Sequence, residues 1–332
     1  MKRIFLKTVV AVAALSALGL AQAQTRTIKF ANQNAPGHPI VLGMEKFAEI
    51  VNAKSGGKLK VNVFPGGALG SDQANVSALQ GGTLEMASMN SGIFASIVKD
   101  FAIYDFPFLF GNAKEADAVV DGPFGTGLHQ KLEEKGIVGL TYYELGFRQL
   151  TNSKRAVVKV EDIAGLKLRV IPNPINIDWV TALGANPTPL PFPELYAALE
   201  QKAVDGQENP VATIRGAKLY EVQKFMTMTN HQYNPQSVVI SKRFWDSLSA
   251  DDKKILQDAA RESATYEREQ SRAQATSILE ELKKSGMQVT DLAPAEVAKL
   301  REKMKPVIAK HSASVGESTV SAVMAELEKA RK

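Results

Sequence analysis

Short runs of β-branched and aromatic residues alternate along this chain with longer segments whose apolar positions recur every three or four residues. Thr27–Ala31, Lys58–Phe64, Ile137–Tyr143 and Leu166–Ile171 have the length and patterning of strands, and the spacing within Ile40–Ser55 and Ser71–Gly81 predicts helices between them. Strands alternating with amphipathic helices along the whole length define an α/β protein, and the length exceeds that of one ordinary domain, so two lobes are expected. From Ser249 to Ser285 the pattern changes to a charged, Ala-rich run without Gly or Pro. Ser249 and Asp252 can form a capping box there, and Gly286 can end the helix. At 1.5 Å per residue such a helix would be about 50 Å long, enough to brace two lobes; an ordinary long surface helix, or two helices broken near Gln270, fits the same composition.

The stretch Ala182–Pro210 breaks these periodicities. Each proline in Asn186-Pro187-Thr188-Pro189 and Pro191-Phe192-Pro193 fixes its own φ and pushes the preceding residue toward extended geometry, so a rigid loop is expected. Helical spacing resumes at Leu195, Ala198, Leu199 and Ala203, Asp205-Gly206 ends it, and Gln207-Glu208-Asn209-Pro210 reads as a polar turn. The glycine-rich Asp121–Gly127 also reads as a turn, since it follows no clear strand with phosphate-loop spacing.

At the N-terminus, Lys2, Arg3 and Lys7 precede an apolar run, Val9–Leu20, that ends in Ala21-Gln22-Ala23. This is the layout of a secretory signal peptide over residues 1–23, with cleavage after Ala23 and export to the periplasm; the run is short for a membrane anchor. The formal net charge is +5, of which those three side chains supply three, leaving +2. Without a basic tract interleaved with aromatics, nucleic acid is not an expected partner. There is no cysteine, so neither a disulfide nor a thiolate metal site can form, and the four histidines are scattered without ligand spacing. No metal or cofactor is expected. No G-x-S-x-G elbow, Walker loop or H-E-x-x-H motif is present, which argues against an enzyme.

The Ala182–Pro210 block, together with FANQNAPGHP (Phe30–Pro39), FPGGALGSDQ (Phe64–Gln73), GFRQLTNSKR (Gly146–Arg155), GLKLRVIPNP (Gly165–Pro174) and YEVQKFMTMTNH (Tyr220–His231), resembles the solute-binding subunit of tripartite ATP-independent periplasmic (TRAP) transporters. The resemblance covers the whole chain after the signal. It implies a two-lobed periplasmic binding protein of the type II-like class, with hinge strands and a long C-terminal helix spanning both lobes. Lobe I would take residues 24–146 plus 235–274, and lobe II 147–234 plus 275–332. It also implies capture of a small organic carboxylate between the lobes, closure about the hinge, and delivery to a small and a large integral membrane subunit, the binding protein being a monomer. A sugar-acid specialist and a periplasmic ligand sensor are the alternatives.

Site residues follow from that resemblance position by position. Periodicity alone puts Arg169 on the solvated face of Leu166–Val170, but it matches the family arginine that clamps the ligand carboxylate, a task suited to a planar fork that stays charged when desolvated. Arg148 matches a second arginine at the cleft, or pairs with nearby Glu144. Asn209 matches an amide beside the clamp, or caps a turn before Pro210. Phe192 matches an aromatic lying against the ligand, or simply packs. Gln33, Asp72 and Asn90 fall at cleft positions of lobe I, with Asp72 equally suited to cap a helix. Asn90 stands where sialic-acid-binding relatives carry an acid, which argues against a sialate. Asn173, Trp179, His38 and His231 are further candidates, the histidines being as well suited to holding loops. Polar Gln33, Asp72 and Asn90 lean toward hydroxyls or a second polar end, and Phe192, Trp179 and Tyr233 would tolerate a ring; with two arginines, two carboxylates are the favoured ligand chemistry.

Overall fold

The computed structural model describes residues 25–332, so the expected leader and its cleavage point lie outside the described residues. From its start the chain forms β1 (Arg26–Ala31), α1 (Pro39–Lys54), β2 (Leu59–Phe64), α2 (Asp72–Gly81) and β3 (Met86–Asn90). Two 3-10 segments (Ser91–Ser96, Lys99–Asp105), α3 (Ala113–Val120), α4 (Pro123–Glu133) and the long β4 (Ile137–Phe147) follow. The chain then crosses into β5 (Gln149–Asn152), β6 (Lys167–Val170), α5 (Pro174–Ala182), β7 (Asn186–Pro189), α6 (Leu195–Glu200), β8 (Gly206–Asn209), α7 (Val211–Gly216) and β9 (Phe225–Met228). It returns through β10 (Tyr233–Ser241), α8 (Lys242–Asp246) and α9 (Ala250–Lys284), and ends with β11 (Gln288–Asp291), α10 (Pro294–Val315) and α11 (Glu317–Arg331).

The strands form two mixed sheets. The first has the order β2-β1-β3-β10-β4 and the second β11-β9-β5-β8-β6-β7. One sheet therefore draws on residues 26–147 and 233–241, the other on 149–228 and 288–291, and the chain passes between them beside the Tyr233–Phe147 pairing. This is the two-sheet α/β architecture anticipated above. The C-terminus departs from the expected division: α11 packs against α3 and α4, burying Val323 and Leu327 in one cluster with Ala116, Val119 and Val120. Residues 317–331 thus lie on lobe I elements, because their apolar stripe finds its partner there rather than on lobe II.

α9 is a single helix of 35 residues, started by Ser249, whose Oγ accepts from Asp252 N at 3.1 Å, and closed by Lys283 and Lys284 in its last turn. Acids at its start and lysines at its end both oppose the helix dipole. Leu256, Ala259, Ala260 and Ala264 on its first half join the core of α1 and β1, while Ile278 and Leu282 near its end join the core of α6, α7 and β9. One rigid rod thereby spans both lobes.

Four local expectations are corrected. Asn186–Pro189 is an edge strand, not a loop: Asn186 N and Leu190 N donate to β6 carbonyls of Leu166 and Val170, and the prolines fall at the intervening positions where no donor is needed. Gln207–Asn209 is a fully buried strand rather than a polar turn, since its polar side chains find partners inside the protein. The preceding helix stops at Glu200, short of Ala203. Pro123 opens α4 instead of continuing a turn, and Gly125 is required because a Cβ there would lie 2.1 Å from Val120 O.

The crossing of α1 and α9 is set by Gly43, where an added Cβ would stand 2.7 Å from Cβ of Glu267 and 3.2 Å from the Tyr143 ring. Gly43→Ala is expected to cost about 1–3 kcal/mol by overpacking, read as a lower midpoint in urea unfolding; an unchanged midpoint would show that the helices are free to separate.

Candidate functional site

β6 points Leu168 and Val170 into the lobe II core and Arg169 the other way, as alternation requires. Arg169 is nevertheless only 2 % exposed, because the facing lobe and Phe192 cover it. Its Nε donates to Leu190 O at 2.9 Å, and its Cζ lies 5.9 Å from the centre of the Phe192 ring. Among the described residues no acceptor is bonded to Nη1 or Nη2. Burial, reinforced by the charge of Arg148, lowers its pKa to about 10, so it remains a cation at any ordinary pH. Two small adjoining hollows meet at this guanidinium and share Gln33, Asn90, Ile171 and Phe192 as walls. Each has a cavity volume of only about 20 Å³, so the two lobes are closed down on the site.

Arg148 borders the same space, yet its guanidinium is already occupied. Nε and Nη2 hold the Glu208 carboxylate, with Nη2–Oε1 at 2.8 Å, and Nη1 donates to Asn234 Oδ1 at 2.8 Å. Both partners are buried. The pairing with Glu144 suggested by sequence proximity does not form: β4 turns Glu144 toward α9, where Arg272 Nη2 reaches it at 2.6 Å. Burial alone would raise the Glu208 pKa, but the charge of Arg148 and contacts from Arg148 and His231 bring it down to about 2. His231 lies behind this pair rather than on the cavity wall, with Nε2 3.3 Å from Glu208 Oε2, Nδ1 2.8 Å from Thr229 Oγ1, and its ring 4.7 Å from that of Trp179. Asn209 does border the cavity; its Nδ2 donates to Gln207 Oε1 at 2.6 Å, and Pro210 takes the capping position of α7.

Gln33, Asp72 and Asn90 come together on the lobe I side. Gln33 Nε2 donates to Asp72 Oδ2 at 3.0 Å, and Asn90 N approaches the same oxygen at 3.3 Å. Ser71, not Asp72, caps α2. Asp72 Oδ1 and Asn90 Nδ2 are buried without a partner among the described residues, beside the hollows. Burial raises the Asp72 pKa to about 7 against the opposing pull of the Asn90 amide and the Arg169 charge.

Asn173 is not a wall residue. Its Oδ1 caps α5 by accepting from Ile175 N, while Nδ2 donates to Asp105 Oδ2 at 2.6 Å, tying lobe II to lobe I. His38 performs a similar service, capping α1 through Nδ1 and meeting Thr213 Oγ1 at 3.1 Å across the cleft. Trp179 and Tyr233 are packed: Trp179 Nε1 donates to Asn176 Oδ1, and Tyr233 sits between Phe110 and Phe147. Sequence reasoning missed Glu208 and Asp105. The available signals were a carboxylate inside a strand-length polar run ending at Pro210, and a lone acid within the apolar stretch Phe101–Phe110.

A closed cleft between two α/β lobes, lined by amides and two buried arginines, defines a solute-binding protein. The sequence profile described as "Bacterial extracellular solute-binding protein, family 7" (DctP) matches residues 30–314, and the chain belongs to that family, the periplasmic solute-binding proteins of TRAP transporters. A TRAP periplasmic solute-binding protein from Ochrobactrum anthropi is 54% identical, with TM-score 0.83 over 93% of this chain and 97% of that one. The sugar acid binding protein from Advenella mimigardefordensis, solved with galactonate, is 41% identical, with TM-score 0.91 over 92% of this chain and 99% of that one. The 2,3-diketo-L-gulonate-binding periplasmic protein of Escherichia coli is 35% identical over 85% of this chain and 86% of its own length. Among the described residues no helix is long and apolar enough to cross a membrane, and no cluster of three or more His, Asp or Glu is suited to a metal ion.

Removing Glu208 strands the Arg148 cation in a buried site. Glu208→Ala is therefore expected to cost about 3–5 kcal/mol in urea unfolding. Since the folded-state pKa is depressed, the contribution is present above the ordinary carboxylate range and is lost only as pH falls through about 2. A variant as stable as the parent at neutral pH would show that the pair contributes nothing.

Proposed function

We propose that this chain captures a monocarboxylate bearing several hydroxyls, a sugar acid of the aldonate class, and hands it to the two integral membrane subunits of a TRAP transporter without altering it chemically. The observation that carries this reading is that among the described residues Nη1 and Nη2 of Arg169 make no hydrogen bond, whereas the charge of Arg148 is matched by Glu208. Two carboxylates, the ligand favoured by counting arginines in the sequence, would leave one of them facing Asp72 without a cation. One carboxylate bound by the Nη1 and Nη2 fork of Arg169, with hydroxyls toward Gln33, Asp72, Asn90 and Asn209, uses the groups present. Phe192 lies against the clamp and excludes water, which strengthens the charge pair. Relatives solved with galactonate or named for 2,3-diketo-L-gulonate support the same class. Export by a leader cleaved after Ala23, and action as a monomer, complete the proposal.

Two measurements test it. Calorimetric titration with galactonate is expected to show that Arg169→Ala weakens binding by roughly 30-fold or more, as for loss of a buried charge partner, and that Arg169→Lys restores it only in part. A folded Arg169→Ala protein with parental affinity, or a parent that binds succinate and ignores aldonates, would overturn the reading.

The second concerns Asp72. With its pKa near 7 the carboxyl is protonated, and able to donate to a ligand oxygen, only on the acid side of neutrality. Ionisation places a second negative charge beside the bound anion, so affinity is expected to fall as pH rises from about 6 to about 8. In the empty protein the same sign holds: stability from this raised group is complete below the ordinary carboxylate range and declines as pH rises through about 7. Asp72→Asn should bind with a flat pH profile; a sloping profile in that variant would assign the dependence elsewhere.

A further inference from the structure

The ligand cavity is small beside a second hollow on the other face of the hinge. Alternation along the crossing strand sends Arg148 into the ligand cavity and its neighbour Phe147 into this groove, which has a volume of about 560 Å³. Lobe I supplies Phe108 and Phe110, the hinge Phe147 and Met228, and lobe II Leu292 and Arg301. Tyr233 packs beneath, 5.5 Å from Phe110 and 5.1 Å from Phe147, so the aromatic floor is rigid.

Two features set this groove apart from an accidental surface hollow. Two of its wall residues, Phe108 at φ 58 and Asn230 at φ 41, occupy the left-handed region, which asparagine tolerates but a bulky phenylalanine adopts only under strain. Each is held there from outside: Phe108 N donates to His231 O at 2.7 Å, and Asn230 exchanges two hydrogen bonds with the Gln149 side chain at 2.6 and 3.1 Å. Backbone strain of this kind concentrates at ligand clamps and switch regions. The second feature is Arg301, whose guanidinium lies 4.4 Å from the centre of the Phe108 ring and, among the described residues, within 4 Å of no carboxylate. Asp291 is the other charged residue on the wall, and it is exposed. A cation laid over an aromatic floor, with apolar walls from both lobes, is complementary to an anion with an apolar body.

We propose that this groove is a second ligand site, taking a small carboxylate with an aromatic body: the ring rests against Phe108, Phe147 and Leu292, and the carboxylate meets Arg301. Such a ligand touches both lobes, so its affinity depends on their relative position, and by linkage it biases the same hinge that the main ligand closes. The proposal is independent of the sugar-acid reading of the main cavity.

Phenylacetate is the probe. Methyl NMR of the mature chain during titration is expected to show shifts at Met228 and Leu292, retained in Arg169→Ala. In Arg301→Gln, a change at an exposed position, the phenylacetate Kd should rise about tenfold or more, equivalent to about 1.4 kcal/mol. Galactonate affinity should be unaffected by Arg301→Gln. Shifts confined to cleft residues such as Leu145 and Ile171 and abolished by Arg169→Ala, or no shift at millimolar phenylacetate, would overturn the second site.

Discussion

The Arg148–Glu208 pair lies where three requirements meet. It joins β8 to the strand crossing between the sheets, it is buried among Asn234, His231 and the cavity wall, and it cancels one of the two positive charges that face the ligand. Desolvating two ions is costly, and the geometry offsets that cost through a fork of bonds to the carboxylate together with further contacts on both partners. Everything else about the cavity's charge follows. With Arg148 neutralised, Arg169 is left as the net cation of the cavity and Asp72 as the acid whose raised pKa lies near neutrality.

The same chain segment serves two faces of the hinge. Because side chains alternate along a strand, consecutive residues Phe147 and Arg148 fall into different hollows, one apolar and one ionic. The polar face is held by groups whose partners are distant in sequence, while the apolar face is held by aromatic packing around Tyr233. The long helix α9 limits how far the lobes can move relative to one another, since its two halves are buried in separate cores.

Much of the fold was legible in the sequence because its signals are local. β1, β2, α1 and α2 announce themselves by period, and Ser249 and Gly286 mark both ends of α9. β7 and β8 were not legible, since Pro187 and Pro189 are tolerable only at a sheet edge, and Gln207, Glu208 and Asn209 can be buried only because Thr151, Arg148 and a lobe interface receive them. Periodicity likewise identified the face of β6 that carries Arg169 but could not tell that another lobe covers it. Arg169, Gln33, Asp72, Asn90, Asn209 and Phe192, named from the resemblance, border the same hollows, whereas Asn173 and His231 lie one layer back. Arg148 borders them too, and its pairing was not legible, because the partner that neutralises it is 60 residues away and nothing in either neighbourhood announces it.

The strand order carries a consequence for how the molecule is assembled. β10 sits between β3 and β4, so the first sheet has a gap in its middle until residues 233–241 arrive, and β11 closes the second sheet only after α9 has been made. Neither lobe is a contiguous stretch of chain. A chain that emerges from its N-terminus thus cannot complete its first sheet until the segment that follows most of the second sheet has been delivered, so the two lobes mature together rather than in turn.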